Sequence, residues 1–277
     1  MSALLIFGLG YCGQAIAAMA RNAGFAVAAT SRSAAAGCIS FDSAADALAT
    51  ATHVLTTAAP DATGGDPVLA RYAQALAEAP ALRWAGYLSS TVVYGDRDGG
   101  WVDEDTPPAP SQDRGWRRLE AEQAWSRLPV AVDIFRLAGI YGPGRSYFDD
   151  LRAGRARRMV KPGHRFGRIH RDDIAAAVLA AMRQDRPPGL RILNLSDDEP
   201  AESADVVTEA ASLLGVPPPP ATDYATVAPA MSPMARSFYA ENRQVASRKT
   251  QAALELTWRY PTYREGLRAI LAAESAL

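Results

Sequence analysis

The chain has 277 residues, a hydrophobic fraction of 48% and a formal net charge of −1. That composition supplies enough apolar surface for a sizeable core and argues against a dedicated nucleic-acid binder, which carries a strong basic excess. Two cysteines, Cys12 and Cys38, make no disulfide framework and point to a reducing compartment. The apolar start, MSALLIFGLG, is too short to span a bilayer and lacks a basic flank and a cleavage pattern. A cytoplasmic protein with no membrane partner is therefore expected.

Residues 3–7 form an apolar run ending in glycines, the pattern of a buried strand, and the Ala-rich stretch 12–22 reads as a helix broken by Gly24. Strands are expected at 25–30, at 39–41 as a short third, at 53–57, at 84–89 and at 130–136. Leu69, Tyr72, Ala73 and Leu76 recur at helical spacing in 67–79, and a further helix is expected over 114–128. Beyond Gly142 the regularity loosens. Helices are expected at 172–182, 203–214 and 263–274, with a strand at 190–195. Strand and helix alternating at this spacing predict an α/β fold, a doubly wound parallel sheet with ligands at the carboxyl ends of its strands. Residues 1–145 and about 166–200 are expected to form the sheet domain. Residues 146–165 and 201–277 are expected to form a smaller substrate-binding lobe.

Gly8-Leu9-Gly10-Tyr11-Cys12-Gly13 is a G-x-G-x-x-G that follows the first strand and opens a helix, the context that makes it a dinucleotide-binding loop. Gly8 allows the turn, Gly10 lets the backbone approach a pyrophosphate, and Gly13 lets helix and strand pack closely. The helix N-terminus supplies amide donors and a positive dipole end. NAD binders place an acid at the end of the second strand, to bond the ribose 2′-hydroxyl. Here Ser31 and Arg32 stand there, with no acid. A guanidinium suits a 2′-phosphate, so NADP is expected over NAD.

Four further stretches, LSSTVVYG (88–95), FRLAGIYGPGR (135–145), RIHRDDIA (168–175) and LNLSDDEP (193–200), complete a pattern over nearly the whole chain. With the glycine loop and the ending YPTYREGL (260–267), they resemble the extended short-chain dehydrogenase/reductases, which include the NAD-dependent epimerases and dehydratases. The likeness is closer to atypical members with a varied active site. The resemblance implies that Ser90, with Thr91 beside it, is the catalytic hydroxyl. It implies that Ser89, the loop of Thr57, Ala58, Ala59 and Pro60, and Leu137, Ala138 and Ile140 border the cofactor. Tyr94, Tyr141 and Arg145 are its candidates on the substrate side. The basic segment from Arg152 to Arg171 would correspond to a region facing a substrate diphosphate, or would be a solvated face.

The family's Tyr-x-x-x-Lys falls on Arg114 and Arg118, both arginine in this chain. At about 100° per residue these share a helix stripe with Ala121, Trp125 and Leu128, expected to face the sheet, while Glu120 and Glu122 are expected to point elsewhere. Arg118 could hold a ribose hydroxyl or a phosphate. Arg114 cannot donate a proton as a tyrosine does, because it stays charged. Substitute acid/base candidates are Asp66, which falls near the family's asparagine position, Tyr94, Tyr141 and His170, the last read as structural. The three histidines show no metal-ligand spacing. Two readings stand: an NADP-dependent oxidoreductase, epimerase or dehydratase acting on a small polar, anionic or nucleotide-sugar-like molecule, as a monomer or homodimer; or an NADP-binding sensor that has lost the Tyr-Lys pair.

Overall fold

The computed structural model describes residues 2–31, 37–61 and 65–275. Strands β1 (Ala3–Phe7), β2 (Ala26–Ser31), β3 (Ile39–Ser40), β4 (His53–Thr56) and β5 (Trp84–Ser90) are joined by α1 (Tyr11–Asn22), α2 (Ala45–Thr50) and α3 (Pro67–Glu78). Next come β6 (Trp101–Val102), α4 (Asp113–Trp125), β7 (Ala131–Leu137), β8 (Gly139–Tyr141), α5 (Tyr147–Arg152), β9 (Arg158–Val160) and β10 (Arg168–His170). The rest is α6 (Arg171–Arg183), β11 (Gly189–Leu195), α7 (Ser203–Leu213), β12 (Ala221–Asp223), α8 (Tyr224–Val227), α9 (Pro233–Tyr239), β13 (Gln244–Val245), α10 (Arg248–Ala253) and α11 (Tyr263–Glu274).

Seven strands form one parallel sheet in the order β11-β7-β5-β4-β1-β2-β3, the doubly wound α/β architecture expected from the alternation. The chain enters at β1, runs outward to β3, and returns to the other side of β1 at β4. That reversal opens a crevice at the carboxyl ends of β1 and β4. All of β7 is buried, as is β5 up to Ser89, because helices cover both faces. On one face, Ile16, Ala17 and Ala20 of α1 pack with Ile174, Ala177 and Val178 of α6 beneath Leu4, Ile6 and Phe135. On the other, Val68, Tyr72 and Leu76 of α3 join Trp125 against Leu5, Phe7 and Val132. Each fully buried Leu, Ile or Phe contributes about 1.5–3 kcal/mol relative to exposure.

Helix α4 ends at Trp125 rather than at 128, with a looser turn to Leu128; Pro129 disfavours helical geometry at the residue before it. Three small parallel pairs were not legible in the sequence: β10 with β8, β12 with β9, and β13 with β6. Leu254 and Trp258 tuck back into the core cluster beside the sheet. No helix among the described residues is long and apolar enough to cross a membrane.

Candidate active site

The glycine loop is an interlock. Gly8 has φ +100°, and a Cβ on it would lie 2.6 Å from Thr57 Oγ1. A Cβ on Gly13 would lie 2.4 Å from the carbonyl oxygen of Gly8. Thr57 Oγ1 donates to that same carbonyl at 2.7 Å, and the Gly8 N–H donates to Thr30 Oγ1 at 3.3 Å. A Cβ on Gly10, the N-cap of α1, would meet nothing within 4 Å, and no side chain caps the first-turn amides. Tyr11 Oη donates to the Pro143 carbonyl at 3.0 Å, and Arg171 and Arg145 sit over its ring at 4.9 and 5.7 Å. Cys12 is buried, and burial pushes its thiol above the usual range.

Beside this loop lies a cavity of about 1200 Å³ whose wall includes Ala59, Pro60, Ser90, Thr91, Leu137, Ala138, Ile140, Tyr141 and Arg145. Register explains the meeting: Ser90 is the strand partner of Leu137, and Leu137 of Leu195. Ser90 Oγ accepts from the Val92 N–H at 3.3 Å, which leaves its own proton free to donate. Thr57 and Ala58 stand behind, with the Ala58 N–H bonded to Thr56 Oγ1 at 3.2 Å.

Arg114, Arg117 and Arg118 of α4 all line the cavity. Arg118 Nη1 donates to Tyr87 Oη at 2.8 Å and to the Leu88 carbonyl at 2.9 Å, which fixes the guanidinium against β5. Arg114 lies over the ring of Phe238 at 4.9 Å and reaches the Ser237 carbonyl at 3.4 Å. Its Nε is buried with no partner, and burial draws the guanidinium below its ordinary value.

Several other candidates have different work. Asp66 is the N-cap of α3: its Oδ1 accepts from Val68 N at 2.9 Å and Leu69 N at 3.0 Å, and it is not part of the cavity wall. Ser89 is buried and donates to Glu122 Oε1 at 2.5 Å. Tyr94 is fully buried and bonds Asn194 Oδ1 at 2.7 Å. Tyr141 meets the wall, but its hydroxyl bonds the Thr262 carbonyl at 3.4 Å and burial raises its pKa. His170 caps α6 through Nδ1, and burial lowers it to about 4. His53 bonds the Met182 carbonyl and His164 the Glu241 carbonyl, both at 3.0 Å. Arg32 lies outside the described residues; Ser31 ends β2.

Other residues of the site gave no signal in the sequence. Glu122, expected to point away from the sheet, is buried and paired with Arg136 at 2.7 Å. Four residues past Arg118 is only about 40° round the helix, still on the buried stripe. Tyr147 lines the cavity. Burial pushes its phenol up, but Arg168 beside it and hydrogen bonds from Arg168 and Ser203 hold it below the usual range. Residues Met231, Ser232, Met234, Ala235, Phe238 and Tyr239, from α9 and the turn before it, also line the cavity.

No family model matches the chain. Over 140 residues it is 38% identical to Protein YeeZ of Escherichia coli (strain K12), a match covering 48% of this chain and 47% of that protein. The chain thus spans about half the length of the curated relatives it matches. A functionally unknown conserved protein from Silicibacter pomeroyi is 43% identical over 99% of both chains, with a TM-score of 0.91. A putative NAD-dependent epimerase/dehydratase from Methylobacillus flagellatus is 26% identical over 99% of both, with a TM-score of 0.76. The named structures that share its fold are epimerase/dehydratase and short-chain dehydrogenase/reductase proteins. The human epimerase family protein SDR39U1, solved with NADPH, shares the fold at a TM-score of 0.82 and 20% identity, over 98% of this chain and 99% of that one.

Neighbours that share the fold were solved with NADPH or NAD, and the glycine loop of this chain fits such a dinucleotide. The Gly8–Gly13 contact is a cradle that a Cβ would fill, and the space over Gly10 admits a pyrophosphate to the uncapped amides of α1. The family's Tyr-x-x-x-Lys is absent from α4, whose sequence DRGWRRLEAEQAW contains neither residue.

Proposed function

We propose that this protein is an NADP-dependent oxidoreductase, or an epimerase or dehydratase using the same hydride chemistry, that acts on a small polar anionic substrate. What carries the reading is one cavity that receives Ser90, Arg118 and Tyr147 together at the strand ends next to the glycine loop. A nicotinamide held at the glycine loop would supply or accept the hydride. Ser90, with Thr91 beside it, donates a hydrogen bond that polarises the reacting oxygen of the substrate. Arg118 and Arg114 stay charged and hold negative charge. The proton donor we assign is Tyr147. It is a phenol of the cavity wall whose pKa falls below its ordinary value, whereas those of Tyr141 and Tyr239 rise through burial. Ala59, Pro60 and residues 137–140 would border a bound nicotinamide, and Arg145 would meet the anionic group of the substrate.

In this reading residues 1–145 and about 166–200 hold the cofactor, while 146–165 and 201–277 supply the substrate side. The free cysteines Cys12 and Cys38 suit a reducing cytoplasm, and the protein works as a monomer or homodimer. Arginine at 114 and 118 favours one other reading, an NADP-binding sensor that does no proton transfer. Two variants separate them. Ser90→Ala and Tyr147→Phe should each abolish oxidation of NADPH by a substrate while leaving NADPH affinity within about twofold. Turnover surviving in Ser90→Ala removes it as the polarising hydroxyl. Turnover surviving in Tyr147→Phe returns the proton donor to solvent. A protein that binds NADPH and never turns over is the sensor.

A further inference from the structure

The cavity has two walls of opposite chemistry. One is cationic: Arg114 and Arg117 from α4, with Arg157 and Arg165 from the segments flanking β9, while the carboxylates that share the lining, Asp149, Asp150 and Glu241, are each hydrogen-bonded within the protein. Among the described residues, the Arg117, Arg157 and Arg165 guanidinium groups have no ion-pair or hydrogen-bond partner, and Arg114 Nε is buried and unpartnered. Unmatched guanidinium groups around one cavity are a field for an anion.

The other wall is largely apolar, with Ser232 and Tyr239 as its hydrogen-bonding side chains. Met234, Ala235 and Phe238 share one face of α9, and Met231 precedes it. Six large apolar side chains are exposed among the described residues, and Met234 at 63% and Phe238 at 52% are the two that line this cavity. Exposure of apolar area over a concave site marks a surface that a ligand covers. Two methionines adapt to an irregular apolar shape, and a phenyl ring offers a stacking face. Arg114 joins the walls, since it lies over the Phe238 ring.

We infer that the cavity takes an organic acid with an apolar, ring-bearing body, the acid on the arginines and the ring on the α9 face. This rests on the reading of the cavity as the substrate site. It favours such a body over a sugar, whose hydroxyls would find only Ser232 and Tyr239 as partners beside Met231, Met234 and Phe238.

The test is calorimetric titration of the full chain, with and without NADP⁺, using trans-cinnamate, cinnamyl alcohol and UDP-glucose as probes. Cinnamate should bind about tenfold or more tightly than the alcohol, which has the same body and no charge. Phe238→Ala should weaken cinnamate about fivefold. Arg157→Gln with Arg165→Gln should weaken cinnamate and leave the alcohol unchanged. NADPH affinity, followed by its own fluorescence, reports separately on the fold of each variant and on the cofactor reading. Loss of NADPH binding in the unmodified chain strikes that reading alone, and the cofactor-free titrations still judge the ligand. Equal binding of acid and alcohol, no response to Phe238→Ala, or tighter binding of UDP-glucose than of cinnamate overturns the inference.

Discussion

Glu122 and Arg136 meet 2.7 Å apart with each side chain only 4% exposed. Ser89 donates to the same carboxylate, and Arg136 lies over the ring of Tyr94 at 4.7 Å. Both charges leave water together and are satisfied by one another. The pair ties α4 to β5 and β7, whose last residues Ser90 and Leu137 open on the cavity. Glu122→Ala would leave a guanidinium buried and unpaired, so we expect a loss of about 3–5 kcal/mol in urea unfolding. Replacing both partners, Glu122→Met with Arg136→Met, should cost less than either single change. A single change costing under about 1 kcal/mol would show that the pair does not hold the helix.

Gly13→Ala should be the most damaging conservative change in the loop. Its Cβ would meet backbone, the Gly8 carbonyl, at 2.4 Å, so the loop itself must move. NADPH affinity should fall by about tenfold or more in a fluorescence titration. Gly10→Ala meets nothing within 4 Å and should fold as the parent does. It should lose affinity only through the pyrophosphate. Undiminished NADPH binding by Gly13→Ala would remove the loop from the cofactor site.

The choice between the two nicotinamide cofactors rests on Arg32, which lies outside the described residues. Arg32→Ala should weaken NADPH by about tenfold or more and leave NADH nearly unchanged, because only NADPH carries the 2′-phosphate. Equal losses for both would sink the role.

His170 sets an acid limit. Burial lowers its pKa from 6.5 to about 4, with Arg171 and Arg259 adding to the shift and Asp172 opposing it. Between these values the unfolded chain takes up the proton and the folded chain resists. Stability should therefore fall as pH drops from about 6.5 to about 4, by up to about 3 kcal/mol from this group. His170→Asn keeps an acceptor for the Asp172 N–H and removes the titration. Its acid unfolding should be shallower across that window, as read by circular dichroism; an unchanged slope would assign the acid limit elsewhere.

The sheet was legible because its strands are buried on both faces and read as plain apolar runs, as in ALLIF or AVDIFRL. The glycine loop was legible because its spacing is dictated by sterics. The small pairs were not: Trp101–Val102 and Gln244–Val245 are two residues long and over 140 positions apart, with no periodicity to detect. Tyr94 and Tyr147 look alike in sequence. One hydroxyl is spent on Asn194 and the other sits beside Arg168, a difference made only by packing. Glu122 misled for a related reason, since a carboxylate on a buried stripe declares itself only when Arg136 and Ser89 are known to face it. The α9 wall hid because its apolar residues turn to a cavity and not to a core.

The Gly8–Gly13–Thr57 interlock also bears on timing. It is held by protein atoms alone, the Thr57 hydroxyl donating to the Gly8 carbonyl. A dinucleotide therefore arrives at a seat that needs no rearrangement. Related dinucleotides should load at similar speed and differ in how long they stay. Residence time, measured by displacement, is where this loop will discriminate.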